Sequence, residues 1–157
     1  MNNNRNISLL LLLIVISISV LGTLAIWEIH TLNMVKKMEF MREVNKDFFA
    51  NPIDTTIMNA IDDNRPILIK NGGKSDEYDL DNYLDHLQNV KWYLDADVMN
   101  IRDVYGEYCH YVQAAYHNEE VMRYIHELRK TEKDSAYYDD FEKLAMQMIE
   151  IDNKANK

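Results

Sequence analysis

Glu107-Tyr108-Cys109-His110 sets a carboxylate and an imidazole three residues apart, which on a helix shares one face between them. Carboxylate-bridged di-iron bundles use two such Glu-x-x-His pairs and two further carboxylates from facing helices. This chain has one pair, so the ligand count falls short and neither a metal nor a cofactor is expected. Cys109 and His110 point about 100° apart around a helix and cannot easily share an ion. They read as a small buried thiol beside a surface imidazole. Asp79-x-Asp81 and Asp95-x-Asp97 open like calcium loops, but Tyr83 and Met99 stand where a fifth-position oxygen is wanted, and the sixth-position glycine is missing. His126-Glu127 lacks the second histidine of a zinc-protease helix, because position 130 is Lys. No phosphate loop, nucleophile elbow or dinucleotide fingerprint occurs, so no catalytic residue is assigned. An enzyme built around Glu107 and His110 is the alternative reading.

Tyrosine is the remaining oddity. The chain holds 10 Tyr, and Tyr105, Tyr108, Tyr111 and Tyr116 fall within one helical stretch. A tyrosine buries its ring and keeps a wet hydroxyl, which suits the rim of a small core and also an interaction surface. The four are expected to do one or the other. Net charge is −9 and the pI is about 4.9, so a surplus able to neutralise phosphates is missing and nucleic acid is not an expected partner. Between 76 and 107, nine acids face only Lys91 and Arg102. That surface suits a basic protein partner, and solvated helix caps explain it equally.

Helices must hold these residues. With 157 residues there is room for one compact domain, and one Cys leaves no disulfide framework. Asn51-Pro52 reads as an N-cap with proline at the first helical position, opening a short helix that carries Ile53, Ile57 and Ile61 to about Asp62. Arg65-Pro66 and Asn71-Gly72-Gly73 bracket a brief apolar run, Ile67-Leu68-Ile69, that reads as a loop, and helical periodicity resumes from residue 76. Asp79 and Asp81 are expected to start the next helix, with Leu80, Leu84, Leu87 and Leu94 inward. Asn100 and Asp103 form a capping pair for a helix carrying Val104, Tyr108, Tyr111, Val112 and Ala115. Asn118 caps another to about Lys130, and a last helix from about Ser135 carries Tyr138, Phe141, Leu144, Ala145 and Met148.

The motif order supports a comparison. Asn51-Pro52, Asn71-Gly72-Gly73, Val104-Tyr105-Gly106-Glu107-Tyr108, Tyr124-Ile125-His126-Glu127-Leu128-Arg129, Tyr137-Tyr138 and Phe141-Glu142-Lys143-Leu144 occur in succession. Over roughly residues 34–150 this resembles a family of small bacterial proteins known only as a domain of unknown function, often with an N-terminal membrane helix. The resemblance implies an α-helical domain and carries over no activity and no site residue.

Residues 7–27 read as a transmembrane helix. Ile7 to Ile26 are twenty positions without a charge, about 30 Å of helix, closed by the interfacial ring of Trp27. A cleaved signal peptide ending near Ala25 is the alternative, but its apolar region is normally about 7–15 residues. Only Arg5 precedes the segment, whereas Lys36, Lys37 and Arg42 follow it, which favours a cytoplasmic C-terminal domain; the resemblance implies that the membrane is a bacterial inner membrane. The expected architecture is all-α: a tail at 1–6, the membrane helix, a juxtamembrane helix at 28–50, four or five short helices over 51–150, and a tail at 151–157. On the juxtamembrane helix, Leu32, Val35, Met38, Met41 and Phe48 form an apolar stripe expected to pack on the chain's own domain, with a stalk that pairs with another chain as the alternative. The expected function is protein–protein interaction or self-assembly by a membrane-tethered domain, with lipid contacted through residues 7–27.

Overall fold

The computed structural model describes the backbone of residues 2–155 and the side chains of residues 16–155. The fold is all-α, as the periodicity requires. Six α-helices are described: α1 (Asn2–Ala50), α2 (Pro52–Asp62), α3 (Glu77–Asp95), α4 (Ile101–His117), α5 (Glu119–Glu132) and α6 (Asp139–Ala155). Among the described residues there is no strand; the one pairing is an isolated parallel bridge between Leu68 and Ser75. The chain divides into two compact units, Met1–Arg42 and Glu43–Lys157.

The first unit lies within α1. One described helix is long and apolar enough to cross a membrane, Ile16–Ala50, and none of its most apolar window is buried. Ile16, Ile18, Val20, Leu21, Leu24, Ile26 and Trp27 are all at least half exposed. The helix carries its own polar side chains: Thr23 Oγ1 donates to the Val20 carbonyl at 2.8 Å and Thr31 Oγ1 to the Trp27 carbonyl at 2.9 Å. Side chains of the expected segment from Ile7 to Val15 lie outside the described residues. The expected tail at 1–6 is instead helical from Asn2. The apolar stripe expected to pack inward is divided. Phe48 is 2% exposed, whereas Leu32, Met34, Val35 and Met38 are exposed.

In the second unit, local chemistry fixes most helix ends. Asn51 caps α2, its side chain accepting from the Ile53 N–H at 3.0 Å, with Pro52 at the first position. Asn100 accepts from the Asp103 N–H, and Asn118 from those of Glu120 and Val121. Helix α3 starts where the periodicity resumes, with Asp79 in its first turn as expected. Asp76 is the N-cap, in a reciprocal box with Asp79 at 2.9 and 3.1 Å. Asp81 is inside the helix and serves a tertiary bond. The last helix begins at Asp139 rather than near Ser135, because Ser135–Tyr138 is a turn in which Tyr138 adopts a φ of +60°. Helix α6 continues through the expected tail to Ala155.

The core is built from Ile57 and Ile61 of α2, Leu80, Tyr83, Leu84, Leu87 and Val90 of α3, Val104, Val112 and Ala115 of α4, Val121 and Ile125 of α5, and Phe141, Leu144, Ala145 and Met148 of α6. Of the residues expected on apolar helix faces, Ile53 is 40% exposed and Leu94 is only half-buried. The loop between α2 and α3 closes on itself. The Ile67 carbonyl accepts from the N–H groups of Lys74 and Ser75, and the Ile69 N–H donates to Ser75. Gly72 turns the chain with a φ of +94°, and a Cβ on Gly73 would lie 2.1 Å from the Ile67 carbonyl oxygen, so only glycine allows the return.

Candidate functional site

Each of the four tyrosines on α4 does a different job. Tyr108 is 1% exposed, and its hydroxyl donates to Asn45 Oδ1 at 2.6 Å. It belongs to the core, so the four do not make one exposed face. Tyr105 donates to Asp152 of α6, a bond that raises the phenol to about 12, with burial adding to the shift. Tyr111 packs on Phe49 and Phe48 at ring-centroid distances of 5.2 and 6.0 Å. Tyr116 lies over Phe141 and reaches Met146 Sδ at 3.6 Å. Rotation and rise together separate them: Tyr108 and Tyr111 lie about 60° and 120° around the helix from Tyr105, whereas Tyr116, nearly in line with Tyr105, sits about three turns further along. Of the four, Tyr116 lines an open groove of about 740 Å³ along α6, with Glu142, Lys143, Met146, Ile149 and Glu150.

The structure gathers no further ligands around the Glu107–His110 pair among the described residues. Both side chains are exposed, and the His110 ring bonds Asp62 of α2 at 3.0 Å. Among the described residues no group of three or more His, Cys, Asp or Glu could hold an ion. Cys109 is half-buried rather than buried, beside Gln113 Nε2 at 3.3 Å. Burial, then the Asp152 carboxylate, pushes its thiol upward, which makes it a poor nucleophile.

The most unusual polar arrangement joins two residues that local spacing cannot connect. Asp54 of α2 is fully buried and accepts from His86 Nδ1 of α3 at 2.8 Å. Its other oxygen, Oδ1, has no hydrogen-bond partner. The His86 side chain is 37% exposed and lines a crevice of about 230 Å³ with Val44, Asp47, Phe48, Asn89 and Tyr93. Its titration is raised, first by the bond to Asp54, which outweighs burial, and then by the charges of Asp54, Asp85 and Asp47. A carboxylate that fixes Nδ1–H leaves Nε2 free to take or release a proton. Sequence reasoning missed both residues; the available signal was a lone Asp on the apolar side of α2, one residue after Ile53.

Other polar clusters brace the fold. The Glu120 carboxylate accepts from the N–H groups of Ile67 and Leu68 at 2.8 and 3.1 Å, and from Asn71 Nδ2 at 2.6 Å. Tyr138 donates to Asp81 Oδ1 at 2.8 Å, fastening the α5–α6 turn to α3. Arg129 bridges Asp139 and Glu142 at 3.2 and 3.1 Å and donates to the Tyr137 carbonyl. No protein-family model, curated protein or solved structure matches this chain.

Proposed function

We propose that this chain is a single-pass protein of a bacterial inner membrane, with its helical domain on the cytoplasmic side, and that the domain works by binding a protein partner. The motif order resembling a family of small membrane-anchored bacterial proteins supports this reading. Lys36, Lys37 and Arg42 after the apolar segment, against Arg5 before it, support the orientation. The observation that carries it is the outer surface of α1. From Ile16 to Trp27 it is apolar and at least half exposed at every large side chain, and water solvates such a surface poorly.

Partner binding draws on the groove beside Tyr116. Met146 there is 57% exposed, and Tyr116 offers an aromatic face with a polar end. Most other aromatic and acidic groups with tertiary contacts are committed to bracing helices, as Tyr108, Tyr105, Tyr138 and Glu120 are. A photo-crosslinking amino acid at position 116 of the full-length protein, activated in native membranes, tests the proposal. A discrete adduct at 116, missing when the probe stands at exposed Arg102, is expected. Monomer alone at both positions overturns partner binding, and an adduct of twice the chain mass shows self-assembly instead.

A further inference from the structure

Helix α2 is tied to two neighbours by bonds of one kind. Asp54, on its first turn, takes His86 Nδ1 from α3 at 2.8 Å, and Asp62, its last residue, takes His110 Nε2 from α4 at 3.0 Å. The two pairs differ in setting. Asp54 has no exposure and its Oδ1 lacks a donor, so its charge is answered by a single imidazole. Asp62 and His110 are 43% and 66% exposed, and water screens them.

The groups facing His86 are carboxylates from three elements: Asp54 on α2, Asp85 on α3 and Asp47 on α1. Across from His110 are Asp62 and the edge-on ring of Tyr111. Three carboxylates repel an anion from the His86 crevice, and no metal-binding group of three exists among the described residues. The species this imidazole is built to exchange is the proton.

We propose that the Asp54–His86 pair forms a proton-operated latch on α2, closed while the His86 imidazole is charged and loosened when it is neutral. Below the ordinary histidine range, imidazolium answers the buried Asp54 carboxylate. When pH rises, His86 gives its Nε2 proton to water and keeps Nδ1–H on Asp54. The hydrogen bond survives, but a buried carboxylate is left without counter-charge, which is a costly state. Swinging α2 away lets water solvate Asp54, at the expense of the burial of Ile57 and Ile61. The direction follows from the raised titration of His86. Its contribution is whole below 6.5, the ordinary value, and is lost as pH rises through the higher folded value.

Hydrogen exchange on the full-length protein in detergent micelles tests the latch, comparing amides of α2 with those of α5 at pH 6.0 and 8.5 after correction for intrinsic rates. Protection of α2 relative to α5 is expected to fall at the higher pH. The fall is about tenfold for each unit by which the folded titration of His86 exceeds 6.5. His86→Gln removes most of this pH dependence. An α2-to-α5 ratio that is equal at the two pH values, or a full pH response in His86→Gln, overturns the latch. Should His86→Gln fail to fold, NMR titration of the wild-type ring decides, and a midpoint at or below 6.5 overturns it.

Discussion

Removing the carboxylate of Glu120 is expected to unfasten the loop between α2 and α3. This side chain, on the first turn of α5, receives the backbone N–H groups of Ile67 and Leu68, two residues only 1% and 2% exposed. It also receives the Asn71 amide, which lies in an exposed part of the loop. In Glu120→Ala the two backbone donors lose their acceptor while their side chains remain packed. A buried donor left unsatisfied costs about 1–3 kcal/mol, so the pair costs about 3 kcal/mol and the exposed amide adds little. In a domain of about 115 residues, 43–157, this lowers the melting temperature by about 10 °C. Glu120→Gln keeps one accepting oxygen and loses about half as much.

Chemical denaturation of the three proteins in the same micelles, followed by helix signal, measures the series. The pH dependence has a definite sign. Burial works against the Glu120 charge, but the bonds from Ile67, Asn71 and Leu68 overcome it and hold the carboxyl below its ordinary 4.5. The gap between wild type and Glu120→Gln is therefore constant above about pH 5 and shrinks as pH falls through the folded value. A loss under about 1 kcal/mol in Glu120→Ala, or a gap that widens in acid, refutes the reasoning.

Two further outcomes follow from the same physics. Tyr138→Phe deletes the hydroxyl that donates to Asp81 at 2.8 Å, and should destabilise the domain by about 1–2 kcal/mol in a denaturant titration, with exchange at the α5–α6 turn accelerating. Ile16→Arg puts a charge in the middle of the apolar stretch, where insertion costs about 2.5–3.5 kcal/mol. The variant should shift from the membrane pellet to the supernatant on alkaline carbonate extraction, and unchanged partitioning counts against a spanning helix.

Much of this protein is decided locally and so is legible from its residues in order. The apolar run before Trp27, the Asn51-Pro52 opening of α2, and the caps at Asn100 and Asn118 each rest on groups within a few positions of one another. The all-α class follows from the same short-range periodicity. Where two local solutions competed, the sequence was ambiguous. Asp76 and Asp79 can each cap α3, and the reciprocal box that settles the choice depends on both carboxylates.

What the tertiary structure decided are the partners of side chains far apart in the chain. Tyr105, Tyr108, Tyr111 and Tyr116 look alike in a helical projection. Yet Tyr108 is buried against Asn45, 63 positions away, while Tyr116 remains beside an open groove. Asp54 and His86 are 32 positions apart, and Glu120 is 52 or more from the backbone it holds. Periodicity states which face of a helix is wet or dry. Which helix lies opposite is fixed by the packing of α2, α3, α4 and α6 against one another, and that packing turns a solitary buried aspartate into half of a proton-binding pair.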